Sequence, residues 1–234
     1  MILAINTSTL QFGLALLKDD GSIMAEHLTA GQKGHFGHLM PALEFLLSGL
    51  SASIQDTKAL VVAKGPGSFT GLRVGLSFAK GLCYALGVPL IGVSSLEALA
   101  HQVPSAGLPI TPVLDSRKGE LFTAQYIWSE AQTLTKTMED ASTRLDQFPS
   151  MFKVQTVFVG NNFPVQAPLI TQVMGPGANL APPVCWNLRA SSVGSLGIVR
   201  YHARDFDDPK GLTPIYLRPP EIRPNPAGLM DPTA

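Results

Sequence analysis

A chain of 234 residues that is 45% hydrophobic and 15% charged has enough apolar mass to bury a core, which excludes a wholly disordered polymer. Its 17 basic and 17 acidic side chains cancel, and no basic block exceeds Arg117-Lys118, so it lacks the electrostatic footprint of an autonomous nucleic-acid binder. The apolar run over 59–63 stops at Lys64, far short of the ~20 residues that span a bilayer, and Cys83 and Cys185 have neither a C-x-x-C spacing nor the number for a disulfide framework.

Residues 2–5, 13–18 and 22–28 predict three short strands, with Lys18-Asp-Asp-Gly21 as the turn between the second and third. Met1-Ile-Leu-Ala-Ile carries no basic segment and no small-residue cleavage site, so the expectation is a chain that opens in a folded strand, works in the cytoplasm and meets no membrane. Over 36–50, Leu39, Met40, Leu43, Leu46, Leu47 and Leu50 recur at helical spacing, and Pro41 is tolerated near the first turn. A buried strand over 59–63 then runs into Gly65-Pro-Gly-Ser-Phe-Thr-Gly71, which opens a second helix ending near Gly87. A strand over 90–93 and a short helix over 96–101 complete the first half.

The second half repeats this order. Residues 110–114 predict a strand ending at Asp115, as the first strand ends at Asn6, and Ser116-Arg-Lys-Gly119 leads to strands over 120–127 and 133–138. The strand over 154–159 mirrors 59–63, Gly160 takes the place of Gly65, and 191–203 is the matching helix. Two copies of β-β-β-α-β-α predict an α/β chain with a duplicated actin-like (ASKHA, ribonuclease-H-like) two-lobe fold, its mixed sheets flanked by helices. The expected boundaries are an N-terminal lobe over 1–104 completed by 190–218, a smaller C-terminal lobe over 105–189, and a flexible proline-rich tail over 219–234. Residues 211–217 read as a closing strand.

The glycine-rich turn has a physical logic: Gly65 and Gly67 permit close backbone approach, and Ser68 or Thr70 can cap a helix whose N–H groups attract an anion. It lacks the Gly-Lys-Ser/Thr ending of a Walker A loop, so a plain strand-to-helix turn stands beside the anion site as an explanation. Asn6, Thr7, Ser8, Gly65, Gly67, Ser68 and Arg73 form a weak nucleotide or anion set, with Arg73 its only cation. His35 and His38, with Asp115 or Glu120 as further ligands, make a weak metal pattern, and a cap or a partner-facing hydrogen bond is the favoured explanation. No H-E-x-x-H or G-x-S-x-G motif exists, and no catalytic or metal-binding residue is assigned.

On a helical wheel the second helix confines Arg73, Ser77, Lys80 and Tyr84 to about 60°, while a surface helix needs an apolar stripe only slightly wider than ~100°. Gly71, Gly75, Ala79 and Cys83 line up as a small-residue ridge that would admit another helix. The expected partner-facing residues are Ala42, Phe45, Leu46, Gly71, Val74, Gly75, Phe78 and Leu82. A helix sandwiched inside its own domain shows the same wheel.

The run Gly65-Pro-Gly-Ser-Phe-Thr-Gly-Leu-Arg-Val-Gly75, followed by Ala79-Lys-Gly-Leu82, closely resembles the motif of the TsaB (YeaZ) family, the dimerisation subunit of the bacterial tRNA threonylcarbamoyladenosine machinery. Met1-Ile-Leu-Ala-Ile-Asn-Thr-Ser8, Pro89-Leu-Ile-Gly-Val-Ser-Ser-Leu-Glu-Ala98, Pro112-Val-Leu-Asp-Ser-Arg-Lys-Gly-Glu120 and Pro214-Ile-Tyr-Leu-Arg218 fall in the family's order, so the similarity covers roughly residues 1–218. The resemblance implies a non-catalytic paralogue that heterodimerises with the transferase TsaD and supports threonylcarbamoylation of the adenosine beside the tRNA anticodon. It also implies the ATPase TsaE as a partner in the complex, tRNA contact mainly through the complex, a homodimer when alone, and no cofactor of its own, with ATP or ADP at the heterodimer seam.

Two departures from the catalytic relatives accompany the resemblance. Where TsaD places two metal-binding histidines four residues apart, this chain has Ser95 and Leu99, and leucine ligates nothing. Asn6 stands where the family usually carries the aspartate that works with magnesium in ATP-using members of the superfamily, and it reads as tightening the turn into Thr7-Ser-Thr9. His35 coincides with a histidine common in the family that is not a metal ligand. The alternative from another class is an actin-like ATP-dependent small-molecule kinase or ATPase.

Overall fold

The computed structural model describes residues 1–29, 35–105, 107–116 and 118–218. Its first sheet is built from β1 (Ile2–Asn6), β2 (Phe12–Leu17), β3 (Ile23–Thr29), β4 (Ala59–Gly65) and β5 (Leu90–Ser94), in the order β3-β2-β1-β4-β5. The second sheet comprises β6 (Ile110–Asp115), β7 (Glu120–Trp128), β8 (Leu134–Arg144), β9 (Thr156–Gly160) and β10 (Ala178–Leu180), in the order β10-β9-β6-β7-β8. In each, the first strand pairs antiparallel with the second and parallel with the fourth, so the two lobes carry one topology. This is the duplicated actin-like arrangement.

Strand alternation decides what covers the first sheet. Leu3 and Ile5 of β1 face one cluster with Leu60, Val62 and the apolar sides of α1 (Leu39–Gly49) and α2 (Phe69–Leu86). Ile2 and Ala4 face the other, which runs through α3 (Ser95–His101) and α6 (Ala190–His202) into the core of the second lobe. Each fully buried aliphatic side chain contributes about 1.5–3 kcal/mol, so the two faces hold the lobe between layers of helix. The α6 N-terminus is pinned by the nearly buried Glu26, which accepts from the Ser191 backbone at 2.9 Å and pairs with Arg189.

Sequence and structure part in three places. Two helices, α4 (Phe148–Met151) and α5 (Phe163–Met174), and the strand β10 are absent from the sequence reading; α5 carries Pro164 in its first turn and Pro168 inside, which mask its periodicity. Residues 211–217 form no strand, their bond to the first sheet being the Ile215 N–H donated to the Lys64 carbonyl at 2.7 Å. The small-residue ridge of α2 faces inward: Gly71 and Gly75 are buried, Ala79 is 0% and Cys83 5% exposed. A Cβ at Gly75 would come within 2.1 Å of Thr7 Oγ1, so the glycine lets α2 close on the end of β1 instead of admitting a foreign helix. The tail over 219–234 lies outside the described residues, and no described helix is long and apolar enough to cross a membrane.

Candidate functional site

A cleft of about 400 Å³ opens between the lobes. Ser8, Thr9 and Leu10 of the β1–β2 turn and Gly67, Ser68, Phe69 and Thr70 at the start of α2 form its first wall. Leu114, Asp115, Ser116, Phe122 and Asn161 form the opposite wall, and the segment from Ile215 to Arg218 crosses beside them. The glycine-rich turn is held tightly here: the Ser68 N–H donates to the Ser8 carbonyl at 2.7 Å, and a Cβ on Gly67 would lie 2.1 Å from that same oxygen. Ser68 caps α2 by accepting from the Gly71 N–H at 3.3 Å.

Of the seven weak anion candidates, only Ser8, Gly67 and Ser68 line the cleft. Asn6 is fully buried beneath it, its Oδ1 accepting from the Ser8 N–H at 3.0 Å and the Ser8 hydroxyl at 2.7 Å while its Nδ2 donates to the Leu188 carbonyl at 2.8 Å. Thr7, also buried, donates its hydroxyl to the Gly71 carbonyl at 2.7 Å, and Gly65 packs against the Ile215 backbone. Arg73 is not a lining residue, but it is held by two that are: its guanidinium lies 3.9 Å over the Phe69 ring and its Nε donates to Tyr216 Oη at 3.1 Å. Among the described residues the cation in the wall is Arg218, 3.3 Å from Glu120 Oε2, which also accepts from Ser142 Oγ at 2.7 Å.

The second lobe supplies residues that the sequence reading passed over. Gln166 of α5 donates to Asp115 Oδ1 at 2.7 Å and to Asn161 Oδ1 at 3.0 Å, and Gln11 reaches across from the first lobe to the Asn161 carbonyl at 3.0 Å and Asn187 Oδ1 at 2.9 Å. Their only sequence signal is the matching of β9 with β4, which places 161–162 where the first copy has its glycine-rich turn.

Of the histidine pattern, the His35 side chain lies outside the described residues. His35 and His38 bound a short 3-10 turn, Asp115 and Glu120 are engaged as above, and among the described residues no three His, Cys, Asp or Glu side chains come together as a ligand set. Ser95 and Leu99 are both 0% exposed on α3, between the two sheets.

The outer side of the first lobe is the second feature. Phe45 of α1 is 72% exposed, with Met40 at 47% and Tyr84 of α2 at 60%. Val74, Phe78 and Leu82 are partly buried against their own core. Four of the expected partner-facing residues are corrected, since Ala42 and Leu46 pack into the leucine stripe of α1 and Gly71 and Gly75 into the sheet side of α2.

Residues 25–204 match the model of the TsaD family, described as tRNA N6-adenosine threonylcarbamoyltransferase. The chain is 34% identical over 220 residues to the tRNA threonylcarbamoyladenosine biosynthesis protein TsaB of Bacillus subtilis, covering 93% of each chain. It is also 34% identical over 140 residues to TsaB of Escherichia coli, covering 56% of this chain and 60% of that protein. YeaZ from Pseudomonas aeruginosa superposes with a TM-score of 0.77 at 23% identity over 92% of this chain and 99% of its own, a likeness of fold. With near full-length similarity to a TsaB protein and the duplicated two-sheet topology on one chain, this protein belongs to the TsaB family.

Proposed function

We propose that this chain serves tRNA threonylcarbamoyladenosine formation as a non-catalytic subunit that pairs with the transferase TsaD through the outer side of α1 and α2. One observation carries the assignment: Phe45 and Met40 of α1 and Tyr84 of α2 stand open to solvent, and Val74, Phe78 and Leu82 of α2 are only half-buried against their own core. Large aromatic side chains of this kind anchor protein interfaces. Helix packing against the equivalent pair of TsaD, or against a second copy when TsaD is absent, would cover them. In this arrangement TsaE and tRNA are met in the complex, and ATP or ADP belongs to the seam with TsaD.

The test is co-elution with TsaD and threonylcarbamoyl transfer to tRNA in the reconstituted system. Phe45→Arg, on an open surface, should keep the native circular-dichroism spectrum, weaken TsaD binding at least tenfold, about 1.4 kcal/mol, and lower transfer in parallel. Normal co-elution of the folded variant would place the contact elsewhere. The kinase or ATPase alternative requires ATP turnover by the purified chain alone, which this assignment expects to be absent.

A further inference from the structure

In ATP-using members of this fold a carboxylate at the end of the first strand works with magnesium at the phosphates. Here both ends of the Asn6 amide are engaged inside the protein, with Ser8 on one side and Leu188 on the other. Asp115, the carboxylate of the cleft wall, has its Oδ1 on Gln166. Arg218, the cation among the described residues of that wall, is paired with Glu120, and Arg73 is engaged with the Phe69 ring and Tyr216 Oη. Among the described residues of the wall these groups do not fit a magnesium–nucleoside polyphosphate: several negative charges would be buried beside the Asp115 carboxylate and opposite the Arg218 guanidinium, which Glu120 already balances.

We propose that the cleft binds an uncharged, nucleoside-sized ligand, a flat heterocycle carrying hydroxyl groups, without a metal ion. Leu10, Phe69, Leu114, Phe122, Ile215 and Leu217 offer apolar walls for the ring. Hydroxyls interleave with them. Ser68 Oγ accepts from Gly71 and Tyr216 Oη from Arg73, so each keeps its own proton for a ligand acceptor. Thr70 and Ser116 also line the cleft, and at about 400 Å³ the space lies near the lower end of small-molecule sites. A neutral ligand brings no further negative charge against the Asp115 carboxylate, whose Oδ1 accepts from Gln166.

Titration of the full-length, nitrogen-15-labelled protein with adenosine, uridine and ADP, the last with and without magnesium, tests this by amide chemical shifts. Saturable shifts at Ser68, Thr70, Asn161 and Tyr216 are expected with a nucleoside, at least tenfold weaker binding with ADP, and no recovery when magnesium is added. Thr70→Trp fills the cleft from one lobe and Ser116→Trp from the other; either folded variant should lose the shifts. Equal or tighter binding of ADP with magnesium, no saturable shift with either nucleoside, or undiminished binding by a filled variant would overturn the proposal. The assignment to TsaD stands apart from this outcome, because it uses the outer side of α1 and α2.

Discussion

At the scale of single residues, Asn6 shows how an amide differs from the carboxylate it replaces. Asn6→Asp would set a carboxylate oxygen against the Leu188 carbonyl in a fully buried site, two acceptors with no proton between them. The expected loss is about 1–3 kcal/mol in urea unfolding, with no gain of ATP turnover. His101 provides a pH signature. Burial holds its imidazole below the ordinary 6.5, with its ring 5.4 Å from Trp128. The folded state therefore binds fewer protons there than the unfolded chain, so stability is present above pH 6.5 and is lost as pH falls through the lowered folded value. His101→Phe keeps a ring on Trp128 and should flatten the fall in thermal midpoint below pH 6.5. The turn role of Asn6 was legible because its partner Ser8 is two residues away. The fate of Arg73 was not, because Tyr216 lies 143 residues along the chain.

Among elements, those with clean periodicity were legible and those that break a local rule were not. The leucines of α1 and the buried runs of β1 and β4 announce themselves. In α5, Pro168 removes an N–H and crowds the carbonyl one turn back, and the helix persists because Gln166, Ala167 and Ile170 are buried against the second lobe. A proline in a helix interior costs about 3 kcal/mol relative to alanine, so Pro168→Ala on this exposed position should raise stability by about 1 kcal/mol or more, read as an upward shift in thermal midpoint. The inward turn of the α2 ridge escaped the helical wheel for a related reason: a wheel separates polar from apolar but cannot tell a glycine needed by Thr7 from one left open for a partner.

For the whole molecule, duplication was the part of the fold that sequence carried best, since each copy repeats the same order of strands and turns. The joining of the lobes was hidden. Beside the apolar core that the lobes share, it includes neutral amides reaching between distant segments: Gln11 to Asn161 and Asn187, and Gln102 to the Cys185 carbonyl at 2.8 Å and the Asn187 carbonyl at 3.2 Å. None of these residues belongs to a motif, and their meeting depends on how two finished sheets are set side by side.

The return of α6 to the first sheet has a consequence for biosynthesis. Ile2, Ala4 and Val61 are translated early, yet Ala190, Val193 and Ile198, which share their side of the sheet, leave the ribosome more than a hundred residues later. Until then this side of the nascent amino-terminal half lacks its α6 cover, so the core of the first sheet closes only after most of the chain has been made.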